Sequence, residues 1–233
     1  MAISKRLRDS LYWPSLLVAL IWIIQLVNVA LGGLLGHFGV YPRDPDGLIG
    51  IITSPLIHGD WGHLIANTPP LFVLSVLLFF FYPRVAKQSF GMIYLLAGLV
   101  LWLFGRPVYH IGASGVIYGL VAFIAWNGLF RRNLKAIALS LVVVFYYGGM
   151  FLGILPGQPG VSWEGHLFGA LVGIFTAYYF KDDIETVEVR QPASWELEEP
   201  QPEEPFLDPN TFAKTKEERR RETLDEKVRR YWD

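Results

Sequence analysis

Apolar residues gather into six long runs along this chain, at 14–36, 62–82, 88–105, 113–130, 134–155 and 163–180. A helix needs about 20 mostly apolar residues to cross about 30 Å of hydrocarbon, so the pattern predicts six transmembrane helices. A soluble fold would require helices apolar on every face with nothing left to cover them. The first run is too long for the apolar region of a cleavable leader and has no small-residue cleavage site close behind it, so it is expected to remain as a span.

Composition agrees. Hydrophobic residues make up 52% of the chain and aromatic residues 15%, with 23 glycines, as membrane spans favour. Cysteine is absent, which excludes disulfides and thiolate chemistry. Lys5, Arg6 and Arg8 precede the first run, Arg84 and Lys87 join the second to the third, and Arg131, Arg132 and Lys135 join the fourth to the fifth. Only Arg43 and Arg106 occupy the opposite connections, so the positive-inside rule predicts cytoplasmic termini.

The C-terminal part is a different material. Before Lys181 the chain holds ten basic and five acidic residues; from Lys181 onward it holds ten and sixteen, or about +5 against −6. The expected division is a membrane domain over 1–182 and a charged tail over 183–233. Residues 191–209, rich in Pro and Glu, read as an extended linker. Asn210 or Thr211 is expected to cap a short helix through Arg230, with Glu217 and Arg221 at a favourable i, i+4 spacing.

This topology brings scattered polar residues to one depth. His63 and Asn67 lie four apart in the first turns of span two and share one face. Span four begins at Ala113-Ser114, and His166 lies in the first turn of span six. All three spans enter from the outer side, and polar groups within a bilayer face the bundle interior. Gly115 and Gly119 make a small-xxx-small pair after Ser114, and Gly169 and Gly173 make another after His166, which predicts close contact between spans four and six. Tyr118, one turn after Ser114, falls on the serine's side and can pack against an imidazole. Taken together these residues predict a hydroxyl nucleophile and its base inside a membrane. An adjacent imidazole activates a serine by taking its proton. Glu164 is expected at the interface, on another face from His166, so the arrangement reads as a dyad rather than a triad.

Three segments carry a family resemblance: His58-Gly-Asp-Trp-Gly-His63-Leu-Ile-Ala-Asn67, Gly112-Ala-Ser-Gly-Val-Ile-Tyr118-Gly119, and Gly165-His166-Leu-Phe-Gly169-Ala-Leu-Val-Gly173. In this order they resemble the rhomboid intramembrane serine proteases, over about residues 58–180. The resemblance implies an all-α, six-helix membrane bundle with a cytoplasmic C-terminal tail, in a bacterial-type plasma membrane. It implies Ser114 as nucleophile and His166 as general base. His63, Asn67 and the Ser114 amide would form an oxyanion hole, supported by Tyr118, His58 and the glycines at 112, 115, 119, 169 and 173. The implied substrates are single-span membrane proteins entering sideways near spans two and five. No cofactor, metal or nucleic acid is implied.

Two local features depart from regularity. Many rhomboids carry a Trp-Arg pair in the first outer connection, whereas this chain has Pro42-Arg43-Asp44, which leaves the anchoring of that loop open. Pro69-Pro70 inside span two is expected to kink or unwind it. The stretch 153–162, with several Pro and Gly residues, reads as a loop that could cap the site, and the connection 37–61 as interfacial. Other classes are a non-catalytic rhomboid-like protein that binds membrane clients, a metal-dependent hydrolase using His58, His63, His110 and His166 as zinc ligands, and a transporter. Intact Ser114 and His166 argue against the first, and the lack of an HExxH motif or a well-placed carboxylate against the second. A transporter would leave the serine, histidine and asparagine unexplained.

Overall fold

The computed structural model describes residues 3–158, 160–183 and 213–232. They form eight α-helices: α1 (Ile3–Ala30), α2 (Gly50–Thr53), α3 (Trp61–Phe81), α4 (Ala86–Phe104), α5 (Ser114–Arg131), α6 (Leu134–Tyr147), α7 (Trp163–Tyr179) and α8 (Lys216–Trp232). Among the described residues, the β pairing is one isolated antiparallel bridge, Val40 with His110. Contacts divide the chain into two units, Met1–Val189 and Arg190–Asp233.

Among the described residues, five helical segments are long and apolar enough to cross a membrane: Lys5–Ala30, Trp61–Phe81, Ala86–Phe104, Ser114–Arg131 and Leu134–Ile154. The fifth combines α6 with the 3₁₀ turns Gly148–Ile154. The sixth apolar run forms α7, whose 17 residues rise about 25 Å at 1.5 Å per residue. Large apolar side chains point outward from these helices, including Leu141 at 65% and Phe145 at 82% exposure. A water-soluble surface does not carry such a belt, so this is a multi-pass membrane protein.

The first span differs from its sequence expectation at both ends. α1 starts well before residue 14, carries Pro14 within it, and stops at Ala30. Gly32 and Gly33 take the left-handed φ values of 65° and 88°, and the Gly33 amide donates back to the Asn28 carbonyl at 2.8 Å. That is a glycine helix stop, where a side chain would be strained. In α3 the expected break at Pro69-Pro70 does not unwind the helix, which is continuous to Phe81.

α5 is the hub of the bundle and packs against α3, α4, α6 and α7. Its Ile117, Leu120, Phe123 and Ile124 are buried with Leu64, Leu74, Leu78 and Ile93 from α3 and α4. Glycines set how near α7 comes. A Cβ on Gly169 would overlap the Gly115 carbonyl, and one on Gly173 would overlap the Gly119 carbonyl. The two helices are therefore in backbone contact over two turns, as the paired small residues predict.

The connection between α1 and α3 is anchored despite its missing Trp-Arg pair. Arg43, at φ 62°, donates from its backbone to the Trp102 carbonyl at 3.0 Å and from Nη1 to the Gly105 carbonyl at 2.8 Å. Trp102 Nε1 returns a bond to the Asp44 carbonyl at 2.8 Å. A tryptophan and an arginine do fasten this loop, but the tryptophan comes from the end of α4.

In the second unit, α8 begins at Lys216 rather than near residue 211, and Asn210 and Thr211 lie outside the described residues. Thr215 supplies the cap. Its hydroxyl accepts from the Glu218 amide at 3.4 Å while Glu218 Oε2 accepts from the Thr215 amide at 2.7 Å, a reciprocal capping box.

Candidate active site

Ser114 is the first residue of α5, so its amide has no acceptor within the helix and lies at the positive end of the helix dipole. The chain reaches it through Gly112 at φ 109°, whose amide donates to the Ser54 carbonyl at 2.8 Å. A Cβ there would stand 2.5 Å from His63 Cε1 and 2.6 Å from His63 Nε2. Only glycine satisfies both the backbone twist and the nearness of the His63 ring.

His166 lies one turn into α7, whose N-cap is Ser162. Its Nδ1 is 2.9 Å from the Gly153 carbonyl and its Nε2 is 2.8 Å from Ser114 Oγ. A carbonyl only accepts, so Nδ1 carries the proton and Nε2 is free to accept from the serine hydroxyl. The Tyr118 ring stacks on the imidazole with centroids 4.1 Å apart and planes at 9°. Its hydroxyl donates to the Met150 carbonyl at 2.7 Å. Both carbonyls belong to the 3₁₀ segment Gly148–Ile154. A Cβ on Gly153 would overlap the Tyr118 hydroxyl and reach within 3.2 Å of His166 Nδ1. Glycine at 153 therefore lets one segment bond to both rings.

Ser114, His166, Tyr118, His63 and Asn67 all line one cleft of about 1040 Å³. Asn67 is buried and its Nδ2 has no hydrogen-bond partner, an unusual state for a buried amide. A donor left over in the cleft that Ser114 also lines is available to a group that enters it. The N-cap Asp60 accepts the His63 amide at 2.9 Å, which fixes the turn carrying His63 and Asn67. His58 stands behind this wall. It is fully buried, its ring lies 5.0 Å from the His63 ring at 69°, and burial, with the neighbouring His63 charge second, pushes its pKa down to about 4.

The approach to α5 and the start of α7 share a further polar network. Glu164, expected at the interface, is only 4% exposed in its side chain and is paired with Arg106. Arg106 Nη2 donates to Glu164 Oε2 at 3.0 Å, and Arg106 Nε donates to Oε1. His110 Nε2 is 3.0 Å from the Arg106 carbonyl, and its Nδ1 is 2.7 Å from Ser162 Oγ. Burial holds His110 below the ordinary imidazole range. Among the described residues no three His, Cys, Asp or Glu side chains form a metal-ligand group.

Fold and site together describe a helical membrane protein with a serine and a histidine hydrogen-bonded to each other in the lining of a cleft. Residues 45–182 match the Rhomboid domain, more than half the chain. A protein of Acanthamoeba polyphaga mimivirus that is named a rhomboid protein is 28% identical over 145 residues, covering 57% of this chain and 75% of that one. The chain belongs to the rhomboid family. An uncharacterized protein of Mycobacterium tuberculosis is 44% identical over 170 residues, covering 69% of this chain and 71% of its own length. An uncharacterized protein of Mycobacterium leprae is 37% identical over 170 residues, covering 69% and 67%.

Proposed function

We propose that this protein is an intramembrane serine endopeptidase that cuts single-span membrane proteins with a Ser114–His166 dyad. The observation that carries the reading is the 2.8 Å contact between Ser114 Oγ and His166 Nε2, with the histidine tautomer fixed by a backbone carbonyl. In this reading α7 is the sixth span, both termini are cytoplasmic, and the membrane is a bacterial-type plasma membrane. Residues 1–182 form the protease domain and 183–233 a cytoplasmic tail.

The chemistry follows from the geometry. His166 Nε2 takes the hydroxyl proton as Ser114 Oγ attacks the scissile carbonyl carbon, giving a tetrahedral oxyanion and an imidazolium. The Gly153 carbonyl continues to accept from Nδ1–H, and the Tyr118 face lies against the new positive charge, so no carboxylate is required. Asn67 Nδ2, the Ser114 amide and His63 supply donors for the oxyanion; each such donor typically contributes about 10²–10³ in rate. The intermediate collapses as His166 passes its proton to the leaving amine. Water from the cleft then attacks the acyl-enzyme as His166 again takes the proton, and the second tetrahedral intermediate collapses by breaking its bond to Ser114 Oγ, to which His166 returns the proton. The 1040 Å³ of the cleft leaves room for that water, which lipid does not provide.

The reading is tested in proteoliposomes containing a model single-span substrate. Ser114→Ala and His166→Ala are each expected to abolish cleavage while the protein melts as a folded species. Cleavage retained by folded Ser114→Ala excludes the serine mechanism, and loss of cleavage on adding a chelator favours a metal.

A further inference from the structure

Two hydrogen bonds cross between the approach to α5 and the start of α7, and they are spaced alike. The inner one joins Ser114 Oγ to His166 Nε2 at 2.8 Å; the outer one joins His110 Nδ1 to Ser162 Oγ at 2.7 Å. His110 precedes Ser114 by four residues and Ser162 precedes His166 by four. The two bonds are therefore successive rungs, with serine and histidine exchanged between the sides.

The outer rung has a defined polarity. His110 Nε2 faces the Arg106 carbonyl at 3.0 Å, which only accepts, so Nε2 holds the proton and Nδ1 accepts from the Ser162 hydroxyl. Ser162 Oγ in turn accepts from the Gly165 amide at 3.2 Å, which makes it both the α7 cap and the rung. Arg106 closes the path with its two-pronged contact to Glu164. A buried carboxylate left alone would be costly, and this one is held at both oxygens. The path runs from Arg106 through His110 and Ser162 to α7, and back from Glu164 to Arg106. The Val40 bridge to His110, with bonds of 3.0 and 2.9 Å, holds the same segment from the other side.

We infer that Arg106, His110, Ser162 and Glu164 form a positioning ring that sets the separation and alignment of Ser114 and His166. The inference rests on the protease reading. None of the four hydrogen-bonds to either reacting side chain, so their action is through geometry. Below the reacting pair, the glycine contacts already fix α5 against α7. Above it, the ring supplies the second point of attachment, so that the 2.8 Å contact is held from both ends. A misplacement of about 1 Å in such a pair can cost about 10²-fold in rate. The competing description, a helix cap beside an ion pair, predicts lower thermal stability with unchanged reactivity in each folded molecule.

The two are separated by labelling the full-length protein with a serine-reactive fluorophosphonate, which needs no transmembrane substrate to bind. The second-order rate constant per folded molecule is measured for wild type, His110→Phe, Ser162→Ala, Ser162→Thr and Glu164→Gln, beside their melting temperatures. His110→Phe and Ser162→Ala are expected to label about 10–100-fold more slowly. The kcat for a model substrate should fall in parallel while KM holds. Ser162→Thr keeps both hydroxyl and cap and should stay within about threefold of wild type. Wild-type rates in His110→Phe and Ser162→Ala, whatever their melting temperatures, overturn the inference. Should those variants fail to fold, Glu164→Gln carries the test: slower labelling supports the ring and an unchanged rate overturns it. A wild type that does not label at all fails the protease reading itself. A wild type that labels beside equally reactive variants fails only the ring.

Discussion

His58 is a fully buried imidazole packed against the His63 ring, so protonating it places a charge where water cannot reach it. With its pKa down at about 4 against an ordinary 6.5, the unfolded chain binds the extra proton first. Stability is then fully present above about pH 6.5 and is lost as pH falls toward 4, by about 3 kcal/mol in all. A His58→Leu variant should have a flatter dependence of melting temperature on pH between 7 and 5 than wild type; parallel curves would refute the assignment. Asn67 belongs to the same scale. Because its free amide is proposed to meet charge that appears only in the transition state, Asn67→Ala should lower kcat by about 10–10³ with KM nearly unchanged. His63→Ala should act likewise. The double variant should lose less than the product of the two effects if both donors serve one oxyanion. A purely additive loss, or a rise in KM alone, would remove the pair from that role.

At the scale of elements, the approach of α5 to α7 leaves no room for a methyl group at Gly169 or Gly173. Gly169→Ala should therefore reduce both melting temperature and turnover, and Gly169→Val should do so more severely. Wild-type behaviour in the alanine variant would disprove the backbone contact. This contact was legible in the sequence because it rests on glycines four residues apart, a local pattern on each helix. The pairing of Ser114 with His166, and the stacking of Tyr118, were legible for a similar reason: each follows from matched depth on neighbouring spans. The start and stop of α1 were not, since its polar first turns hide the helix and the glycine stop lies inside an apolar run. The partners of the two rings were also hidden. Gly153 and Met150 act through backbone carbonyls, which carry no signature in residue type. Arg106 and Glu164 are 58 residues apart, and nothing local to either announces the other.

For the whole molecule, the first unit holds every residue proposed for the chemistry, and the second holds a charged helix. Deleting residues 191–233 should leave cleavage by the purified protein within about a few-fold of wild type. A folded truncation without activity would show that the tail supports the site directly. The central claim is that Ser114 is a nucleophile made reactive by His166, and the most direct test is covalent. The full-length protein is treated with a fluorophosphonate, and the adduct is located by mass spectrometry of the intact chain and its fragments. One adduct per molecule is expected, on Ser114, absent in Ser114→Ala and nearly absent in His166→Ala. An unmodified wild type, or an adduct that persists in Ser114→Ala, would contradict the central claim.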